Sequence, residues 1–309
     1  MATALTLAAA APGAVVLLAA YLLIGASASV AAQAGTIAAR HAPPGRRATG
    51  VATVAAGMSA GILLSRLAGG TLTDLVGWRR MLLTFAALAL LGAIAAATLL
   101  PRQRPHSFRS YRATLTSLPP LLRDHPQLRR AVATGGLWYF AFNLIWVALA
   151  LAQPPHSLGP TAIGLYGLAG LLGFVALPLT GRLADRYTPQ TVITTGLLAA
   201  AAGAVLLAAG LDTPSATALG LALFDAGCFA AQAANQSRIM ALDPARSGGL
   251  SSVYLVLYFT IGAMGTALAA PLINTLGWPG TALTALTALL LAAVVASTGT
   301  RQPRHERAA

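Results

Sequence analysis

Asp225 is one of only seven acidic residues in the chain, and it lies within Leu221 to Ala234, a run otherwise apolar enough to sit in a lipid bilayer. Cys228, Gln232 and Gln236 follow it at i+3, i+7 and i+11, so one helical face carries an acid, a thiol and two amides. A carboxylate at that depth is costly and is kept where it faces a cavity or a partner. Two chemistries fit: a buried acid that takes up and releases a proton, or a negative charge that neutralises a cationic solute. A structural carboxyl bonded to a neighbouring helix fits too, as does interhelical hydrogen bonding for the two glutamines. Spacing alone leaves these open.

Two further faces carry polar and aromatic groups. Tyr139, Asn143 and Trp146 recur at i, i+4 and i+7 in GGLWYFAFNLIWVALA, a mixed surface suited to an amphipathic solute. Interfacial anchoring accounts for a tryptophan but not for an amide in mid-membrane. Tyr254 and Tyr258 share one face of a later span, where cavity lining and plain packing are both open. Gly57, Gly61, Gly262 and Gly265 read as sites of close helix contact rather than of binding. Arg66, towards the outer end of its span, reads as a snorkelling side chain. Asn235 and Arg238 have no role that spacing reveals.

The elements that must hold these residues are membrane spans. Of the 309 residues 57% are hydrophobic and 9% charged, and the mean hydropathy is +0.72. A bilayer core of about 30 Å needs about 20 apolar residues in helical form. Nine such stretches occur, at about 14 to 39, 48 to 71, 80 to 100, 131 to 152, 160 to 180, 190 to 210, 216 to 238, 250 to 273 and 280 to 298. Helices are expected because lipid offers no partner for unpaired backbone groups. Residues 101–130, rich in Pro and Arg, break the series into three spans and six.

Charge then sets orientation. Every one of the 20 basic residues is Arg, and taking alternate sides puts 17 on the side of the 101–130 linker, two (Arg79 and Arg80) opposite, and Arg66 within a span. The positive-inside rule makes the linker side cytoplasmic. The net charge of +13 therefore lies between apolar runs rather than on a phosphate-binding face, and nucleic acid is not an expected partner. Nor does an enzyme fit: the five histidines fall in predicted loops or tails, with no metal-binding or nucleophile motif around them, and no P-loop is present. No cofactor is expected, and the single Cys228 excludes an intrachain disulfide.

The chain also repeats itself. TLTDLVGWRRMLL, Thr71 to Leu83, returns 200 residues later as PLINTLGWPGTAL, Pro271 to Leu283, with Gly77 falling on Gly277 and Trp78 on Trp278. Tryptophan occurs four times in all, so this pair carries the match. Spans one to three thus correspond to spans seven to nine, while spans four to six have no full counterpart. The leading residues 1 to 10 lack the basic region of a secretory signal and are too short to cross a bilayer, so they read as the end of a cut helix.

This arrangement resembles the major facilitator superfamily, whose members have twelve helices in two halves. Gly181, Leu183, Asp185 and Arg186 of GRLADR match that family's G-x-L-x-D-R loop motif, and Leu221 to Gly248 is similar to the tenth helix region of bacterial drug/proton antiporter-like members. The resemblance implies an all-α membrane fold with nine transmembrane helices, family helices 4 to 12. Residues 1–100 would be an incomplete N-terminal half, 101–130 a cytoplasmic linker, 131–298 a six-helix C-terminal half and 299–309 a cytoplasmic tail. It implies a multi-pass plasma (inner) membrane protein, a monomer, moving a small molecule by alternating access. With Asp225 it implies proton-coupled efflux of small amphipathic molecules, and with GRLADR a cytoplasmic gate. The alternative is a truncated, non-transporting membrane remnant. Tyr187 and Thr188 depart from the motif's usual Gly and basic residues. GGTLTDLVGWRR fits the same pattern superficially, but the repeat and the arginine count place it on the outer side.

Overall fold

The computed structural model describes residues 1–41, 47–99, 118–152, 159–168, 188–243 and 246–298. Among these only helices occur, in the order α1 (Ala2–Ala9), α2 (Ala14–His41), α3 (Arg47–Val76), α4 (Trp78–Leu99), α5 (Leu118–Asp124), α6 (Pro126–Leu151), α7 (160–168), α8 (Pro189–Ala208), α9 (Pro214–Leu242) and α10 (Ser247–Ser297). They lie on the apolar runs read from the sequence. Five stretches are long and apolar enough to cross a bilayer by themselves among the described residues: 78–99, 126–151, 189–208, 214–240 and 248–297.

Helix starts follow local chemistry. Prolines stand in the first turn of α6, α8 and α9, where the missing N–H costs nothing and φ is already helical. Thr188 caps α8 by accepting from the Thr191 amide at 3.3 Å. Expected boundaries shift accordingly. The helix that carries the fourth span begins at Pro126, and α5 lies before it within 101–130, where Arg129 donates to the Leu122 and Arg123 carbonyls and closes the end of α5. His41, placed in a loop by sequence, is the last residue of α2. The hydroxyls of Thr71, Thr84, Thr195, Thr260 and Thr287 turn back on carbonyls of the preceding turn. They are thereby satisfied without a neighbour in an apolar surrounding.

The Gly-Trp repeat marks two corners of one kind. Gly77, between α3 and α4, has φ 82°. Gly277, with φ 66° and ψ −172°, breaks α10 into two limbs. Both lie in the left-handed region that a Cβ disfavours, which is why glycine precedes tryptophan at each. The tryptophans differ in use. Trp278 is buried and donates its Nε1–H to the Leu207 carbonyl at 2.6 Å, whereas Trp78 is exposed and carries the Arg79 guanidinium 4.3 Å over its ring.

The chain forms two compact units. One holds α1 to α4 with α7. There Ala8, Ala9, Ala20 and Leu82 make a small core of α1, α2 and α4, and Arg79 donates to the Ala11 carbonyl at 3.3 Å. The other holds α5, α6 and α8 to α10, and its interior is built on glycine. On α8 and α9, Gly196 faces Gly227 and Gly203 faces Gly220, so that a Cβ on any of the four would meet the opposing helix. On α6 and α10, Gly135 receives the Tyr254 ring and Gly262 the Tyr139 ring, while Gly265 lies on the Phe140 carbonyl. Gly262 and Gly265 thus serve close contact as expected. Gly57 and Gly61 meet nothing within 4 Å among the described residues.

Candidate functional site

Asp225 lies near the middle of α9, which apolar composition makes a span, and its side chain is fully buried. The expected stripe forms in part: Cys228 is buried beside it on the same face, and Gln232 and Gln236 follow half-buried. Trp146 of α6 donates its Nε1–H to Asp225 Oδ1 at 3.1 Å. This joins the acid of one sequence cluster to the aromatic face of another. An indole donor stabilises a carboxylate in apolar surroundings without adding charge, so the group keeps its capacity to bind a proton or a cation.

A turn or more along α9 a second network spans three helices. Tyr254 of α10 donates its hydroxyl to Gln232 Oε1 at 2.6 Å, and its oxygen accepts from Asn235 Nδ2 at 3.3 Å. The same Asn235 amide donates to the Ala131 carbonyl of α6 at 2.9 Å, while its Oδ1 accepts from Arg238 Nη2 at 2.9 Å. Asn235 is 1% exposed. A buried amide must place both donor and acceptor, and this one does so on α6, α9 and α10 together. Spacing gave it no role, although Asn235 stands at i+3 from Gln232 and i+7 from Cys228 and so shares their face. The usable signal was simply an amide in an apolar run.

Aromatic rings fill the space between α6 and α10. Tyr139 stacks on Tyr258 with centroids 4.1 Å apart, and Tyr258 lies 5.4 Å from Tyr254 and 5.5 Å from Trp138. Phe142 extends the slab to Phe224 of α9 at 6.3 Å. The three polar or aromatic faces therefore meet in one helix cluster, with rings on one flank and Asp225, Gln232 and Asn235 on the other.

Two further expected members have their own surroundings. Asn143 returns its amide to the Tyr139 carbonyl of its own helix at 2.8 Å and faces Gly262, not Asp225. The Gln236 Oε1 is buried and accepts no hydrogen bond from the described residues. Gly181, Leu183, Asp185 and Arg186 lie outside the described residues. No group of three or more metal-ligating side chains occurs among those that are described.

Comparison with known proteins agrees with this architecture. The model of the Major Facilitator Superfamily matches residues 1–267. A probable transporter of Streptomyces coelicolor is 32% identical over 247 residues, which is 79% of this chain and 57% of that protein. The uncharacterized transporter YgaY of Escherichia coli O157:H7 is 28% identical over 82% of this chain and 65% of its own length. The chain thus spans less than two thirds of each of these relatives. Among solved structures, the E. coli fucose:proton symporter FucP superposes with a TM-score of 0.57 at 16% identity, over 97% of this chain and 82% of that one. A second FucP structure gives 0.56. That likeness is one of fold. A family match across most of the chain, on an all-helical membrane architecture, places this protein in the Major Facilitator Superfamily.

Proposed function

We propose that the protein is a secondary transporter that exports small amphipathic molecules by alternating access, coupled to protons through Asp225. The observation that carries this reading is a carboxylate fully buried in mid-span, bonded to an indole N–H, beside an aromatic slab. A group that only tied helices together would serve equally well as an amide. An acid at that depth adds the capacity to change charge. The slab of Tyr139, Tyr258 and Tyr254 offers ring faces to a flat or cationic solute, and Gln232 and Trp146 supply the polar contacts that orient it.

The reading includes a monomer in the plasma (inner) membrane with residues 101–130 and the C-terminus cytoplasmic, on the asymmetry of arginine. Gly181, Leu183, Asp185 and Arg186 are proposed as the cytoplasmic gate on the motif alone. The test is flux in proteoliposomes containing the full chain, with a panel of hydrophobic cations and an imposed pH gradient. Export that collapses when the gradient is removed supports the reading. Flux equal to that of empty liposomes under every gradient favours the non-transporting alternative.

A further inference from the structure

Charge gathers at one end of the larger unit, where α5 and the start of α6 meet the end of α9 and the start of α10. Residues 118–130 and 238–247 hold Arg123, Arg129, Arg130, Arg238 and Arg246 against only Asp124 and Asp243. Three of these arginines are accounted for. Arg129 donates to the carbonyls at the end of α5, Arg246 lies 3.7 Å from Asp243, and Arg123 is exposed to water.

Arg130 and Arg238 differ from the rest. Both are half-buried, and neither pairs with a carboxylate among the described residues. Arg238 donates from Nη2 to Asn235 Oδ1 at 2.9 Å, and Asn235 donates in turn to the carbonyl of Ala131, the residue next to Arg130. This tie brings Arg238 to the first turns of α6, close enough for the Arg130 charge to act on it. The Arg238 Nε–H is buried without an acceptor among the described residues, which leaves the outer edge of the guanidinium to meet a ligand.

Two like charges that have both lost water repel each other, and a buried cation is stable only when something accepts its hydrogen bonds. One amide oxygen uses a single donor of the five that a guanidinium carries. A phosphate group answers both needs, since its several acceptor oxygens can engage two planar forks at once while its charge offsets theirs. At the arginine-rich end of a set of spans such a group can come from a lipid headgroup, as basic pockets between helices hold them. Dissolved phosphate has the same chemistry.

We infer that Arg130 and Arg238 form a binding site for a phosphate group, carried by an anionic lipid or free in solution, where α6 and α9 meet beside residues 101–130. The inference uses neither Asp225 nor the aromatic slab, so it stands apart from the transport reading.

The experiment takes the full chain in a neutral detergent and follows thermal unfolding with added phosphatidylglycerol, with phosphatidylcholine, and with inorganic phosphate in place of chloride at equal ionic strength. Phosphatidylglycerol should raise the melting temperature more than phosphatidylcholine does. Arg130→Gln leaves the Asn235 bonds in place and should fold, yet it should need several-fold more phosphatidylglycerol for half the effect. Arg238→Gln should do the same, and Arg238→Lys, which keeps the charge, should recover part of the response. Arg80→Gln, outside this cluster, should respond as the parent does, which separates a site from general attraction to a basic protein. Stabilisation by phosphatidylglycerol alone identifies a lipid headgroup as the ligand, and an equal response to inorganic phosphate identifies a soluble anion. No preference over phosphatidylcholine together with no response to phosphate, or a response that Arg130→Gln leaves intact, would overturn the site.

Discussion

At the scale of single residues, the bond from Trp146 to Asp225 makes the acid's environment specific enough to test. Asp225→Asn keeps the shape and can still accept from the indole, but it cannot change charge. Solute flux in this variant should lose its dependence on pH while the protein keeps its elution profile in detergent; retained pH dependence would refute Asp225 as the coupling group. Asn235→Ala should instead act on stability. It removes a partner from Tyr254, the Ala131 carbonyl and Arg238 at once, and a buried polar group left unpaired costs about 1–3 kcal/mol. Thermal unfolding in detergent should show the loss, and flux per folded molecule should change less than in Asp225→Asn. Asp225 was legible because a charge in an apolar run has few explanations. The bond from the Asn143 amide to the Tyr139 carbonyl was not legible, because an amide can close on its own helix and periodicity does not record that choice.

At the scale of elements, glycine sets the distance between helices. Gly196 and Gly203 on α8 pair with Gly227 and Gly220 on α9, two contacts seven residues apart in a shared antiparallel register. Gly227→Ala should destabilise the protein, since overpacking a tight contact costs about 1–3 kcal/mol. Gly92→Ala, in a stretch of α4 where an added Cβ meets nothing within 4 Å among the described residues, should be neutral or stabilising by up to about 1 kcal/mol. Equal melting temperatures for the two variants would contradict the register. The spans themselves could be read from hydropathy, because crossing a bilayer constrains length and composition together. The glycine pairs could not: with 31 glycines in the chain, which of them meet depends on how neighbouring helices slide and rotate. For Gly57 and Gly61, where helical spacing suggested a contact, the described residues show none within 4 Å.

At the scale of the molecule, the arginine distribution predicts that a cysteine placed in residues 101–130 of a Cys228→Ser chain is shielded from an impermeant reagent in intact cells and reacts after permeabilisation. Labelling of intact cells would reverse the proposed orientation. The repeat was legible at this scale because glycine before tryptophan is a rare pairing with a backbone cause, seen as positive φ at Gly77 and Gly277 alike. What lies around each tryptophan was not, since the same two letters end in a buried hydrogen bond at Trp278 and an exposed ring at Trp78. These corners also have a practical consequence. Each turns the chain within a single residue, so a tag spliced there has no slack to occupy and must unwind a flanking helix to be displayed. An epitope inserted after Gly77 or Gly277 should therefore cost yield, and antibodies or proteases approaching from that side will find little backbone to grip.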